Sequence, residues 1–214
     1  MSLVVPFRAL RPAVPYAREV AAPPYDVLNV AEARQLVRDN PLSFLHVEKS
    51  EIDVPDAAGV EDHRIYDRGR ANLEELIRRG ILLREDAPAF YLYRQRMGER
   101  RQWGIVAGVS IAEYETGRIR KHELTRPDKE RERTNNIDII GAQTGPIFMT
   151  YRGRGAIDRL AARVMARPPE YDFTAGDGVA HTVWVIGDPR EIREVAEGFA
   201  PVEALYIADG HHRA

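Results

Sequence analysis

The chain contains 214 residues, none of them cysteine, and its formal net charge at pH 7 is −2. Without cysteine it can form no disulfide, no thiolate nucleophile and no cysteine-ligated metal centre. No signal pattern opens the sequence, and no run approaches the roughly 18 apolar residues of a membrane-spanning helix, so we expect a cytoplasmic protein with no membrane partner. The slightly acidic charge also argues against nucleic acid as a partner.

Hydrophobic periodicity predicts alternating strands and helices in the first half of the chain. Asn29 belongs to the residue types that cap helix N-termini, and Gly80 to those that end helices. Pro23 and Pro24 exclude a helix interior before Asn29, because adjacent prolines fix the backbone and remove two hydrogen-bond donors. Predicted strands cover residues 4–10 and 43–47, and predicted helices cover residues 30–38 and 60–79.

The second half of the chain contains β-rich runs separated by turns, and two further helical patterns. Predicted strands cover residues 89–94, 103–114, 146–151, 180–186 and 202–208, and predicted helices cover residues 155–166 and 189–197. This mixed order predicts an α+β fold in which helices flank a mixed sheet. We expect a single domain over residues 1–214.

The last six residues follow an apolar run and read Asp209-Gly210-His211-His212-Arg213-Ala214. A strand that turns at glycine into a helix exposes backbone N–H groups where the helix dipole attracts anions. Arg213 can hold two phosphate oxygens with its planar fork, and His211 or His212 can donate a further hydrogen bond. Asp209 can orient a histidine or hold a metal ion that accompanies the phosphate. The alternative is a plain strand-to-helix turn with two exposed histidines.

A charged segment over residues 118–133 provides a second group of candidates. Pro127 fits the first turn of a helix, on which Lys129 and Arg133 are one turn apart and share a face. These two cations can neutralise phosphate charge. The alternative is a solvated helix that ion pairs between successive turns stabilise.

Three polar residues precede this helix. Glu123 is a candidate general base or, together with His122, a candidate metal ligand. Thr125 is a candidate for orienting a substrate. His122 and Glu123 lack the His-Glu-x-x-His spacing of zinc enzymes, which argues against zinc.

A rigid loop near the N-terminus joins the two adjacent prolines to Tyr25 and Asp26. Such a loop holds its side chains at low entropic cost, which suits a substrate contact by Tyr25 and proton transfer by Asp26. The alternative is a turn in which Tyr25 packs against the core and Asp26 caps a neighbouring element.

The letters DGHHRA after an apolar strand resemble the phosphate-binding signature of the ParB/sulfiredoxin superfamily, especially in ParB-like free serine kinases. In that superfamily the Gly-x-x-Arg turn holds nucleotide phosphates. The resemblance therefore implies a ParB/sulfiredoxin-like element around Gly210 and Arg213. In the serine kinases an acidic residue near the N-terminal end of the domain acts as base, but their local motif is not reproduced here, so Asp26 and Glu123 both stay candidates.

A wider resemblance covers nearly the whole chain. Six ordered blocks are similar to the uncharacterised bacterial and archaeal family called domain of unknown function 1015, namely PFRALRP, VAAPPYDVL, NPLSFLHVEKSEID, KHELTRPDKERER, GPIFMTY and IADGHHRA. Members of that family extend well beyond the His-His-Arg motif, so we expect this chain to be the N-terminal part of a longer one.

The ParB/sulfiredoxin resemblance implies a nucleotide-dependent enzyme, foremost a phosphotransferase that acts on a small hydroxylated metabolite such as an amino acid, whereas the family of unknown function has no settled activity. ADP, ATP or CTP is the expected nucleotide, and Mg²⁺ is the expected metal because it bridges phosphate oxygens. A nucleotide-responsive binding module without catalysis is the alternative, and a nuclease is a third hypothesis. The sequence leaves open the acceptor, the metal and the oligomeric state.

Overall fold

A computed structural model of the protein describes residues 2–57, 59 and 61–213. Within these residues helices and strands are interspersed along the chain, which confirms the predicted α+β class. The helices are α1 (Ala17–Val20), α2 (Val30–Val37), α3 (Leu45–Glu48), α4 (Arg64–Arg78), α5 (Ile111–Glu115), α6 (Pro127–Ile140), α7 (Gly155–Met165) and α8 (Pro189–Phe199). The strands are β1 (Val4–Val5), β2 (Leu10–Pro12), β3 (Leu82–Arg84), β4 (Phe90–Met97), β5 (Arg100–Val106), β6 (Gly108–Val109), β7 (Ile119–Arg120), β8 (Phe148–Thr150), β9 (Tyr171–Thr174), β10 (Ala180–Ile186) and β11 (Leu205–Asp209).

The backbone divides into two compact units. The sheet unit comprises Met1–Val14, Arg84–Lys121 and Met149–Ile207, and the helical unit comprises Pro15–Leu83, His122–Phe148 and Ala208–Ala214. Among the described helices none is long and apolar enough to cross a membrane.

The centre of the sheet unit is an antiparallel sheet of four strands in the order β5-β4-β10-β9. A tight turn at Gly98, whose φ is +57°, joins β4 to β5. Alternate residues of β10 are buried, as expected of a strand with one covered face, and the indole N–H of Trp184 donates to the Arg167 carbonyl oxygen. Helices α7 and α8 bury apolar residues at helical spacing, including Leu160 and Val195.

Two strand predictions in this unit are wrong in extent. Residues 4–10 form two short strands, because the chain between them makes only an isolated bridge from Phe7 to Ala89. The strand predicted over residues 103–114 ends at Val106, and Ser110 begins α5 by accepting hydrogen bonds from the backbone N–H groups of Glu113 and Tyr114.

In the helical unit, the predicted helix ends at Asn29 and Gly80 are confirmed. Asn29 and Glu32 form a reciprocal capping box, in which each side chain accepts from the other's backbone N–H. Gly80 ends α4 with φ +68°, and the Ile81 N–H then donates to the Leu76 carbonyl oxygen. The predicted start of α4 at Val60 lies outside the described residues, and the observed helix begins at Arg64.

The strand predicted over residues 43–47 is wrong. This segment enters the one-turn helix α3, in which Leu45 and Val47 are buried and the Ser43 hydroxyl accepts from the Leu45 N–H. Such side-chain capping competes with strand formation, and burial of Leu45 with Ala33 and Ile52 fixes the turn. Glu48 is consequently the last residue of α3 rather than a residue that follows a strand.

Helix α6 begins at Pro127 as predicted and ends at Gly141, whose φ is +74°. Its buried face carries Arg133, Asn136 and Ile140, so the cation and the amide occupy positions that are usually apolar. Gly69 of α4 allows this packing, because a Cβ there would lie 3.0 Å from Ile140 Cδ1 and 2.8 Å from the Val47 carbonyl oxygen.

Candidate functional site

Most of the predicted site residues fall into two neighbouring groups in the helical unit, the first of which also contains Glu48 and Glu132. The arginine cluster consists of Tyr25, Asp26, Glu48, Lys129, Glu132, Arg133, Asp209 and Arg213. The His–Glu cluster consists of His122, Glu123 and His211. Residues 209–213 contribute to both groups, because the 3₁₀ turn His211–Arg213 follows directly on Gly210.

Arg133 is the most buried cation of the arginine cluster, with 9% of its side chain exposed. Its Nη2 is 2.9 Å from Glu132 Oε1, and its Nη1 is 3.6 Å from Glu48 Oε1. The guanidinium carbon lies 4.0 Å from the centre of the Tyr25 ring, a cation–π contact. The buried Nε–H has no hydrogen-bond partner among the described residues. Arg133 therefore retains a donor that the protein does not use.

Arg213 approaches the same region from the last turn. Its Nη2 is 2.9 Å from Asp209 Oδ2 and 3.9 Å from Asp26 Oδ2, and its Nη1 donates to the Pro146 carbonyl oxygen at 3.2 Å. Gly210 has φ +88°, and a Cβ there would lie 3.0 Å from Arg213 Nε. Glycine is thus required both by the left-handed backbone and by the closeness of Arg213.

Glu48 is a member of the cluster that residue types alone did not single out. Burial raises the pKa of Glu48, although a hydrogen bond from Thr144 and the charges of Arg133 and Arg213 partly oppose the shift. The signal for Glu48 lay in the family block NPLSFLHVEKSEID, which contains it. The Glu48 carboxylate and the Arg213 side chain both lie close to Gly145. A Cβ at this position would be 3.4 Å from Glu48 Oε1 and 2.9 Å from Arg213 Cδ, so a larger residue would displace the Arg213 side chain.

Two further side chains tune the electrostatics of the cluster. An ion pair with Glu132, in which Nζ and Oε2 are 2.7 Å apart, raises the pKa of Lys129. Burial raises the pKa of Tyr25, with the charge of Arg133 opposing it. Both groups therefore keep their protons at neutral pH, and Lys129 stays cationic.

A narrow cleft inside the arginine cluster encloses about 170 Å³ between atoms, with no room for a water molecule. Its lining residues are Glu48, Arg133, Asn136, Ile137, Gln143, Thr144, Gly145 and Arg213. The cleft is therefore closed as it stands, and a ligand group would have to displace one of its lining side chains to enter.

In the His–Glu cluster, one ligand atom from each residue lies within 4.8 Å of the others. His211 Nδ1 is 3.1 Å from Glu123 Oε1, and the ring centres of His211 and His122 are 4.2 Å apart at an interplanar angle of 82°. His211 is only 5% exposed, and its Nε2 has no hydrogen-bond partner among the described residues.

The remaining predicted residues contact their neighbours. Asp209 pairs with Arg213. His211 is buried against Glu123, so the alternative with two exposed histidines does not hold. His212 Nδ1 accepts a hydrogen bond from the Arg126 N–H at 3.4 Å, and the Thr125 hydroxyl donates to Glu130 Oε2 at 2.9 Å. The part of the predicted helix at Ala214 lies outside the described residues.

Comparison with known proteins gives one family match. The model of a family described as protein of unknown function (DUF1015) matches residues 4–214. Neither the curated proteins nor the solved structures include a significant match to the chain.

Proposed function

The chain belongs to the DUF1015 family, and we propose that it binds a nucleotide through its phosphates at the arginine cluster and transfers a phosphoryl group to a small hydroxylated metabolite. The similarity of Asp209-Gly210-His211-His212-Arg213 to the ParB/sulfiredoxin phosphate signature, in its serine-kinase form, supports this proposal. In this assignment Arg133, Arg213 and Lys129 hold the phosphates.

The observation that carries the proposal is the unused donor of Arg133. A buried N–H without a partner costs about 1–3 kcal/mol, so an acceptor oxygen from a ligand would stabilise it. Arg133 lines the same cleft as Arg213, and a guanidinium edge binds two oxygens of one phosphate. Two arginines at one narrow cleft suit the clustered negative charge of a di- or triphosphate.

The carboxylates around the arginines do not prevent phosphate binding. Asp209 is bonded to Arg213, but 71% of its side chain is exposed, so it can turn into water at low cost when a phosphate takes its place. Glu48 is buried and stays in the cluster, where it positions Arg133. The cleft is narrow, so binding also requires the Arg213 side chain to move.

Asp26 is the best-placed general base for the transfer. It approaches Arg213 to 3.9 Å and is half-exposed, so an acceptor hydroxyl beside the phosphates can reach it. Glu123 contacts His211 instead. The nucleotide is ADP, ATP or CTP, and Mg²⁺ is the ion expected to bridge its phosphates.

The direct test is titration of the purified chain with ADP, ATP, CTP and pyrophosphate by calorimetry. We expect Arg213→Ala to weaken binding about 100-fold, since a charge-assisted hydrogen bond contributes about 1.5–3 kcal/mol. Arg78→Ala is the matched control, because Arg78 is an exposed arginine of the same unit that pairs with Glu75. Equal binding by the wild type and Arg213→Ala would refute the phosphate site.

A non-catalytic, nucleotide-responsive module is the second candidate. Arg213 bonds to Asp209 and to the Pro146 carbonyl oxygen, and the Gln143 side chain donates to the Arg213 carbonyl oxygen. Phosphate binding to Arg213 would therefore weaken its contacts with Asp209 and with the segment from Gln143 to Pro146. Phosphorus NMR of the chain with nucleotide and hydroxylated amino acids separates the two candidates, because only the enzyme forms a phosphorylated acceptor.

A further inference from the structure

The His–Glu cluster lies beside the arginine cluster but contributes no contact to the arginines in the assignment above. We propose that His122, Glu123 and His211 bind a divalent transition-metal ion, such as Zn²⁺, Mn²⁺ or Fe²⁺. This inference does not depend on the proposed nucleotide binding.

The first support is the arrangement of donor atoms. All three residues place a ligand atom within 4.8 Å of the others, and His211 Nδ1 and Glu123 Oε1 are 3.1 Å apart. Two ligands that each lie about 2.1 Å from one ion, at angles of roughly 90–110°, are separated by about 3.0–3.4 Å. The observed separation therefore fits two neighbouring ligands of a single ion.

The second support is the buried imidazole of His211. One of its two ring nitrogens faces Glu123, while the other, Nε2, is buried and has no hydrogen-bond partner among the described residues. A neutral imidazole carries one N–H and one lone pair. With an ion on the Nδ1 lone pair beside Glu123 Oε1, the ring proton lies on Nε2, and burial of the ring holds Nδ1 in place at the ion.

The chemistry of the donors selects the class of metal. Two imidazoles and one carboxylate suit zinc, iron or manganese, whereas Mg²⁺ prefers sites made entirely of oxygen. His122 and Glu123 are exposed and His211 is buried, so the ion would be open to solvent on one side. Three protein ligands with an open side are typical of a catalytic site rather than a closed structural one. The sequence argued against zinc because it could not show that His211 joins His122 and Glu123.

Metal titration in the absence of nucleotide tests the site. The chain, stripped with EDTA, is titrated with Zn²⁺, Mn²⁺ and Mg²⁺ by calorimetry, and Co²⁺ binding is followed by visible absorption. We expect one equivalent of Zn²⁺ to bind at least about 100-fold more tightly than Mg²⁺, with His122→Ala and Glu123→Gln each weakening Zn²⁺ binding at least tenfold.

The controls separate a specific site from other effects. His122 and Glu123 are exposed, so their variants should unfold at the wild-type temperature in EDTA. His63→Ala replaces an exposed histidine of the same unit outside the cluster and should leave Zn²⁺ affinity unchanged. Equal Zn²⁺ affinity in the wild type and His122→Ala would overturn the site, and equal affinity for Mg²⁺ and Zn²⁺ would overturn the metal class. Nucleotide binding measured in EDTA can fail or succeed independently.

Discussion

Arg11 in the sheet unit is partly buried and Arg133 in the helical unit is buried, and each has two acidic neighbours. Arg11 directs its Nε to Glu85 and its Nη1 to Glu170, and no buried nitrogen of Arg11 lacks a partner among the described residues. Arg133 also has two carboxylate neighbours but keeps a buried Nε–H without an acceptor. The two sites have the same charged groups, and they differ in whether a buried N–H donor of the arginine lacks a hydrogen-bond acceptor. The Nε and Nη1 nitrogens of Arg11 are paired within the fold, whereas Arg133 keeps the donor from which, in our proposal, a phosphate oxygen would accept.

The largest expected effects come from substituting each arginine in turn, because Arg11 should affect stability and Arg133 should affect nucleotide binding. Arg11→Ala removes the partner of two carboxylates, so we expect the free energy of unfolding to fall by about 2 kcal/mol with unchanged nucleotide affinity. Arg133→Lys keeps the charge but loses the planar fork and much of the stacking on Tyr25, so we expect nucleotide affinity to fall more than tenfold. Urea unfolding and calorimetry measure the two quantities. A loss of affinity in Arg11→Ala would contradict the division of roles.

Two glycines with nearly the same φ angle, one in each unit, allow a finer comparison. Gly210 in the helical unit has φ +88°, and Gly178 in the sheet unit has φ +82°. Alanine at either position should cost about 1 kcal/mol of stability, because a Cβ disfavours the left-handed region. Only at Gly210 does the added Cβ meet Arg213, at 3.0 Å from Nε, whereas at Gly178 nothing lies within 4 Å.

We therefore expect Gly210→Ala to weaken nucleotide binding about fivefold and Gly178→Ala to leave it unchanged, as measured by calorimetry beside thermal unfolding. Equal affinities in the two variants would show that the position of Arg213 does not matter for binding.

Local chemistry was sufficient to predict much of the fold. Asn29 marked a helix start, Gly80 a helix end and Pro127 the first turn of α6, because each acts through its own backbone or its near neighbours. The helix over residues 155–166 and the strand over residues 180–186 were also predicted nearly to their ends, since their hydrophobic spacing is regular.

The sequence could not reveal features that depend on distant contacts. The sequence pattern predicts a strand at Leu45 and Val47, because it cannot show that a one-turn helix buries Leu45 against α2 and Ile52. The burial of Arg133 follows from the close approach that Gly69 permits. Glu48 and the contact between His211 and Glu123 were missed for the same reason, because these partners are far apart in the chain.

The smallest expected effect concerns carboxyl groups whose pKa values shift in opposite directions. Burial raises the pKa of Glu48 in the helical unit above its ordinary value of 4.5. In the sheet unit, hydrogen bonds from the backbone N–H groups of Arg190 and Glu191 lower the pKa of Asp188. A raised carboxyl pKa adds stability below its unfolded value that is lost as the pH rises through the folded value. A lowered one adds stability above its unfolded value that is lost as the pH falls through the folded value.

Thermal unfolding between about pH 4 and pH 8 should therefore distinguish Glu48→Gln from Asp188→Asn. The advantage of the wild type over Glu48→Gln should shrink as the pH rises, whereas its advantage over Asp188→Asn should grow, each by no more than a few degrees. Because Gln cannot ionise, any pH dependence that survives in Glu48→Gln belongs to other groups. If the difference in unfolding temperature between wild type and variant grows with pH for both variants, Glu48 is ionised at neutral pH like an exposed carboxylate. Its negative charge then neutralises part of the charge of Arg133 and Arg213 in the absence of a ligand. If the stability difference shrinks with rising pH for Glu48→Gln alone, the Glu48 carboxyl stays protonated to a higher pH than an ordinary glutamate. The arginines of the cluster then keep their positive charge for a ligand over that pH range.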